Sequence, residues 1–389
     1  MTSSRTSAVW SRRDWSSMQP ELSIPLALLV AAAVTYMVTP LAIRVARATG
    51  FMDEPAGYKG HGNPTPYLGG SAILAGVLVA GLAFGPAGRP YAVLGVCAFV
   101  LWIVGTIDDR VNLSPFFRLV LEIAIATTLW ATGHGWDAFG IAPLDLVLTI
   151  AWVVGIVNAV NLMDNMDGAA ATVVGISATG TGALAIVVGT PELAPLCFAV
   201  AGGCVGFLPR NLARPSRIFM GDGGSMPLGL LVAGTSMQVA SAGGLGVAGV
   251  LEVGLIVGLA VLDTTLVTFS RRRGGRPLLT GGRDHLTHRL RTRVGTPSAV
   301  AGSLASLQFM LCAVAIVAGL IGAGAILGVT AFVLAVGAYA ITQLERHPWF
   351  DAPAAKVLVA ETHAAQPARR PTRFVRRREH AAEPIRAGS

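Results

Sequence analysis

Apolar residues run in long blocks along this chain, and each block is closed by a short polar break. The blocks cover roughly 22–43, 68–86, 90–107, 116–132, 142–160, 168–190, 192–208, 225–240, 244–268, 297–320 and 323–343. Most approach the about 20 residues that a helix needs to cross the hydrocarbon of a bilayer. A closed barrel would show alternation over about ten residues per strand, and none is visible. The pattern therefore predicts an all-α protein, a polytopic integral membrane helical bundle of about 11 transmembrane helices whose backbone polar groups bond within the helices. A polar N-terminal arm (1–21) precedes this transmembrane domain (22–343). A basic tail (344–389) without apolar period follows it and is expected to be disordered.

Composition agrees with the pattern. Of 389 residues 53% are hydrophobic and only 13% charged, and the mean hydropathy is +0.63. The net charge of +8 is sorted by side. If the N-terminus lies outside, 25 of the 29 Lys and Arg fall in segments that face one compartment, which the positive-inside rule makes the cytoplasm. The exceptions are Arg89 and three arginines of the arm, Arg5, Arg12 and Arg13. Nothing before Ser23 resembles a cleavable signal peptide. Cys97, Cys197, Cys204 and Cys312 all stand inside apolar blocks without Cys-x-x-Cys spacing, so they read as small buried hydrophobes.

The polar breaks carry the candidate chemistry. Asn158-Ala-Val-Asn161-Leu-Met-Asp164-Asn165-Met-Asp167-Gly168 sets two amides and a carboxylate on one face of a helix end, between two membrane-length blocks. Carboxylates at a bilayer edge are costly and imply water, a cation or a polar ligand. Asp108 and Asp109 close the third block as an adjacent pair, either sharing a cation or with one pKa raised. Arg118 and Glu122, four apart in the next block, are expected to form a plain salt bridge. Lys59 and His61 precede two prolines, Pro64 and Pro66, that bar a helix, and Gly69-Gly70 permits close backbone approach. Asp222 is flanked by Gly221, Gly223 and Gly224, suited to approach a phosphate. Phe219 offers a ring for stacking, and Ser225 is placed to cap the eighth helix. Asp284-His285-Leu-Thr-His288-Arg289 follows an Asp263-Thr-Thr helix end. Its arginine neighbours favour an anion over a metal as partner.

These five breaks follow the first, third, fifth, seventh and ninth blocks. All counts are odd, so all five face one compartment and can meet in a single cleft. Carboxylates for Mg2+ beside Lys, His and Arg for phosphate compose a site for a nucleotide diphosphate and a metal.

Asp108-Asp109, Asn158-x-x-Asn161-x-x-Asp164-x-x-Asp167-Gly168, Phe219-x-Gly-Asp222-x-Gly-Ser225 and His285-x-x-His288, in this order, resemble the polyprenyl-phosphate N-acetylhexosamine-1-phosphate transferase superfamily, of glycosyltransferase family 4 type. The first loop, Lys59-x-His61-x-x-Pro-Thr-Pro-x-x-Gly-Gly, is similar to its first cytoplasmic loop. Asn165 stands where the family usually has Gly, Ala260 where Pro often precedes the Asp-Thr pair, and Asn211 one residue too far from Phe219. The resemblance implies that 22–343 is a catalytic domain in the inner or plasma membrane. Its active site would face the cytoplasm and transfer a sugar-1-phosphate from a UDP-sugar to a polyprenyl phosphate, releasing UMP.

The resemblance also implies roles. Asp222 would ligate Mg2+, with Mn2+ as a substitute, and Asp109 and Asn161 would complete the metal set. Asp108 would accept a proton from the lipid phosphate or position it, and Asp109 would support Asp108 or the metal. Phe219 would stack on uracil. Lys59, His61, Asn158, Asn161, Asp164, Asp167 and Asn211 would bind the substrate, and Asp284, His285, His288 and Arg289 would hold phosphate or sugar. The compact His285–His288 loop resembles the branch that takes UDP-N-acetylglucosamine; the alternative is the phospho-N-acetylmuramoyl-pentapeptide branch. A secondary transporter would keep its carboxylates at the midplane of repeated halves, and no repeat is seen. A scaffold leaves the Asp pair without purpose. The partners are then the UDP-sugar, the polyprenyl lipid and the bilayer, with no nucleic acid and with a homodimer open to the chain as an assembly.

Overall fold

The structure is a computed structural model that describes residues 20–54, 64–85, 89–278 and 282–346. Among the described residues the backbone is almost wholly helical. The α-helices are α1 (Pro20–Thr49), α2 (Gly69–Phe84), α3 (Arg89–Val111), α4 (Pro115–Ala131), α5 (Ala142–Met163), α6 (Ala169–Val187), α7 (Ala194–Asn211), α8 (Asp222–Ala242), α9 (Gly246–Ile256), α10 (Gly258–Arg273), α11 (Leu286–Val294), α12 (Pro297–Ile321) and α13 (Ala323–Arg346). Two short strands, β1 (Met52–Asp53) and β2 (Thr65–Pro66), pair antiparallel in the first loop.

Each apolar block contains a helix, so the all-α membrane class holds. Seven helices (α1, α3, α5, α6, α7, α12 and α13) are long and apolar enough to cross a membrane, and α9 with α10 makes an eighth if counted as one span. The eleven expected spans are not reached by that measure: α2 and α4, with 16 and 17 residues, are too short for it, and α8 is not among the apolar spans. The ninth block is not one rod: α9 and α10 meet at a 74° bend. A break inside an apolar bundle exposes backbone groups that need partners. Gln308 of α12 supplies them: its Nε2 donates to the Ile256 carbonyl at 2.6 Å and its Oε1 accepts from Leu259 N at 3.3 Å.

The centre of the bundle is α8, which packs against α2, α3, α5, α6 and α9 and buries nearly every residue. Small residues make this approach possible, as expected where apolar lipid offers no hydrophobic drive between helices. A Cβ at Gly105 of α3 would stand 2.4 Å from the Asp222 carbonyl oxygen, and one at Gly70 of α2 would stand 2.2 Å from Gly224 Cα. Backbones of α2 and α3 therefore grip the first turn of α8. All four cysteines are free and buried, as their apolar setting predicts.

Candidate active site

The polar helix ends converge on the first turn of α8. Gly221 enters it with φ 75°, a left-handed value that glycine adopts freely. No side chain of its own caps this helix, and Ser225 lies inside the first turn instead of capping it. The cap comes from another helix. Asp109, near the end of α3, accepts from Asp222 N at 2.8 Å on Oδ1 and from Gly223 N at 3.1 Å on Oδ2. A carboxylate at a helix N-terminus also meets the positive end of the helix dipole.

Asp222, its side chain partly exposed, then sits between two donors. Asn161 Nδ2 donates to its Oδ1 at 2.8 Å and to Ser225 Oγ at 3.0 Å. Arg118 Nη1 donates to its Oδ2 at 3.1 Å and to Asp108 Oδ2 at 2.7 Å. Arg118 thus bridges Asp108 and Asp222, and the expected Arg118–Glu122 pair is replaced. Glu122 instead accepts from Asn158 Nδ2, tying α4 to α5. Helical spacing pointed to residue 122, but Asp108 near the end of α3 and Asp222 at the start of α8 take the guanidinium instead. Asn158 is thereby set one turn behind Asn161, on a helix-to-helix contact. Asp108 is buried, and its Oδ1 accepts from Leu113 N.

The corner after α5 completes this wall. Asp164 accepts from Gly221 N, and burial together with the charges of Asp222, Asp109 and Asp167 pushes its pKa from 3.8 up to about 8. Asn211, expected to touch substrate, is buried behind the corner. Its Oδ1 accepts from Gly168 N at 2.6 Å, and its Nδ2 donates to the Ile218 carbonyl at 2.9 Å. Asp167 Oδ1 lies 3.5 Å from that nitrogen, so the Asn211 amide is engaged in shaping the corner. Phe219 is half-buried, with its ring 6.3 Å from Tyr67, and its N–H donates to the Pro66 carbonyl. Tyr67 in turn bonds Asp53, and burial with that carboxylate holds its hydroxyl above the usual range. Lys59 and His61 lie outside the described residues.

The histidine loop joins the same end through Asn165, whose Oδ1 accepts from Thr287 Oγ1. Within it the residues divide. His285 is buried with Nδ1 2.8 Å from Asp263 Oδ2, and Asp263 Oδ1 also accepts from Leu286 N, capping α11 from α10. His288 lies beside it, ring centroids 6.4 Å apart. Burial, then His285 and the arginines at 283 and 291, lower its pKa to about 4, so its imidazole is neutral at pH 7. Asp284 and Arg289, expected on the ligand, are internal. Asp284 takes a two-pronged ion pair from buried Arg271, at 2.9 and 3.0 Å. Burial opposes the Asp284 charge, but Arg271 and Arg276 bring its pKa below the ordinary value. Arg289 donates to the Leu344 carbonyl at 2.9 Å and to Glu345 Oε1 at 2.6 Å, latching α11 to the end of α13. Desolvated charges of this kind need internal partners, and these two residues have them.

Sequence reasoning missed Arg118, Arg271 and the role of Asp263. A signal for Asp263 existed, because a carboxylate within an apolar block is costly unless something pairs with it.

A family model, glycosyl transferase family 4, matches residues 91–240, which hold Asp108, Asp109, Asn161, Asp164 and Asp222. A probable undecaprenyl-phosphate N-acetylglucosaminyl 1-phosphate transferase of Bacillus subtilis (strain 168) is 30% identical over 282 residues, covering 69% of this chain and 77% of that protein. The chain belongs to glycosyl transferase family 4. A decaprenyl-phosphate N-acetylglucosaminephosphotransferase of Mycobacterium leprae (strain TN) is 33% identical, over 70% of this chain and 77% of its own. An undecaprenyl-phosphate alpha-N-acetylglucosaminyl 1-phosphate transferase of Escherichia coli O157:H7 is 27% identical, over 69% and 77%. Within the family-4 match, the Asp109–Asp222 contact joins two motifs 113 positions apart.

Proposed function

We propose that this family-4 chain transfers N-acetylglucosamine-1-phosphate from UDP-N-acetylglucosamine to undecaprenyl or decaprenyl phosphate, releasing UMP and initiating a cell-envelope polysaccharide. The observation that carries the reading is the convergence of Asp108, Asp109, Asn161, Asp164 and Asp222 around one helix N-terminus. The names of its relatives support the sugar and the lipid class. The bias of 25 basic residues to one side supports a cytoplasmic cleft in the plasma membrane, with α2, α4 and α8 counted toward eleven spans.

The residues fit Mg2+. The donors are all oxygen, the preference of a hard cation that uses one or two carboxylates plus phosphate and water. Among the described residues no three His, Cys, Asp or Glu side chains form a ready ligand cage, in keeping with a site completed by substrate. Burial first, and then the charges of Asp222, Asp109 and Asp167, push the Asp164 carboxyl up to about 8, as a crowd of carboxylates around one buried corner would. When bound, Mg2+ or Mn2+ withdraws charge from the departing UMP phosphate. Asp222 is the residue to hold it, with Asn161 fixing the carboxylate plane and Asp109 fixing the backbone beneath. Asp109 spends both oxygens on N–H groups, so its contribution is positioning.

Asp108 is buried with both oxygens accepting, and we assign it to holding Arg118 in place. A strong base is dispensable here. A phosphate monoester has its second pKa at about 6 and is largely dianionic at neutral pH, so its own oxygen attacks the sugar-bearing phosphorus. Phe219, beside Tyr67, offers a face for uracil, and neutral His288 offers hydrogen bonds to the sugar. The test is to present purified protein with several radiolabelled UDP-sugars and polyprenyl phosphate in Mg2+ and follow label into lipid. The reading requires UDP-N-acetylglucosamine to be the preferred donor; selective use of UDP-N-acetylmuramoyl-pentapeptide would overturn it.

A further inference from the structure

Arg118 was not foreseen as part of the site, and its placement suggests a role of its own. One nitrogen, Nη1, is shared by two carboxylates on different helices, at 2.7 Å to Asp108 and 3.1 Å to Asp222. The two ends differ. The Asp108 side chain is 6% exposed and further held by Leu113 N, whereas that of Asp222 is 31% exposed. The shorter contact is also the more sheltered one, so Arg118 is rooted on Asp108 and leans on Asp222. Its own helix is fixed at both levels. Ser114 caps α4 by accepting from Phe117 N, and Glu122 ties α4 to α5 through Asn158. Both oxygens of Asp222 are occupied, Oδ1 by Asn161 and Oδ2 by Arg118. Anything that ligates Asp222 through Oδ2 must displace or share that guanidinium.

We propose that Arg118 is the competitor of a divalent cation for Asp222 Oδ2, and that it would yield this oxygen where such a cation binds. Arg118 then keeps Asp108 and turns its released donors to the phosphate of the lipid acceptor. The guanidinium is suited to this exchange because it carries five N–H donors in a planar fork and stays charged throughout. One side chain would thus serve as counter-ion to both carboxylates and, once released from Asp222, as a phosphate anchor. This rests on the reading of Asp222 as the cation ligand, and the test separates the two.

Binding of Mn2+ alone to purified protein in detergent is followed by loss of the free-ion electron paramagnetic signal, with no substrate present. Asp222→Asn should lose binding at least tenfold. Arg118→Gln should bind Mn2+ threefold to tenfold more tightly than the unmodified protein, because the competitor is gone. Arg118→Lys, which keeps the charge with fewer donors, should fall between. In turnover at saturating Mn2+, Arg118→Gln should raise the KM for polyprenyl phosphate at least tenfold and leave the KM for the UDP-sugar within threefold. Weaker or unchanged Mn2+ binding by Arg118→Gln, with Asp222→Asn still deficient, would make Arg118 a mere brace for Asp222 and overturn the proposal alone. Unchanged binding by Asp222→Asn would remove the cation site and the proposal together. Should Arg118→Gln fail to fold, as judged by its melting temperature, the Arg118→Lys affinity decides, and it must exceed that of the unmodified protein.

Discussion

Asp109 is the N-terminal cap of a helix that begins at Asp222, with 2.8 Å between Oδ1 and the Asp222 backbone nitrogen. The second carboxylate of one motif therefore sets the orientation of the first carboxylate of another. Removal of an N-cap costs about 0.5–2 kcal/mol, and the helix dipole adds about 0.3–1 kcal/mol at an exposed end. Asp109→Ala should thus destabilise the protein by about 1–2 kcal/mol and abolish transfer. Asp222→Asn should abolish transfer with little change in thermal stability. Equal stability of Asp109→Ala and the unmodified protein would contradict the capping role.

The Asp164 carboxyl gives a pH signature. Its pKa rises from 3.8 to about 8 in the fold, so the folded chain binds a proton that the unfolded chain has released. That contribution is fully present below pH 3.8 and is lost as pH rises toward about 8. Melting temperature in EDTA should therefore fall between pH 5 and 8.5, and Asp164→Asn should flatten the fall and stabilise the protein at pH 8. A mutant no more stable than the unmodified protein at pH 8 would contradict this account.

Two glycines of α3 make a controlled pair. A Cβ at Gly105 meets the Asp222 carbonyl oxygen at 2.4 Å, a backbone atom that cannot step aside, whereas Gly95 has nothing within 4 Å. Gly105→Ala should abolish transfer and lower the melting temperature. Gly95→Ala should leave activity intact and be neutral or more stable by about 0.5–1 kcal/mol, the gain of alanine over glycine within a helix. Activity within twofold of normal for Gly105→Ala would show that the α3–α8 contact is looser than described.

Asp263 holds His285 and the first N–H of α11. Its loss leaves two buried donors unpaired, at about 1–3 kcal/mol each. Asp263→Ala should destabilise by about 2–4 kcal/mol, and proteolysis should then nick the 271–294 region first. Protection there equal to that of the unmodified protein would contradict the latch.

The carboxylate pairs were legible in the sequence because each ends an apolar block, where an unpaired charge is expensive. Their convergence was legible too, since an odd number of blocks precedes each one. Partner choice was not. Helical spacing assigned Arg118 to Glu122, yet the fold delivers Asp108 and Asp222 to the guanidinium, and nothing local could reveal a contact across 104 positions. Asn211, Asp284 and Arg289 were expected on the ligand from the family resemblance; the structure buries all three and gives them internal partners that no local pattern announces. The bend between α9 and α10 carries neither proline nor charge at its apex, Val257-Gly258; its mark is Gln308, 49 residues onward from Leu259.

The central claim, attack on the sugar-bearing phosphorus with departure of UMP, is tested most directly by the fate of the two phosphates. UDP-N-acetylglucosamine labelled with 32P at either the α or the β position is incubated with purified protein, Mg2+ and polyprenyl phosphate, with Asp222→Asn as the blank. The β label should pass into the lipid and the α label should remain in water-soluble UMP, with neither moving in the mutant. If the sugar entered lipid while both labels stayed in soluble UDP, the bond broken would be the glycosidic one, and the account would be wrong.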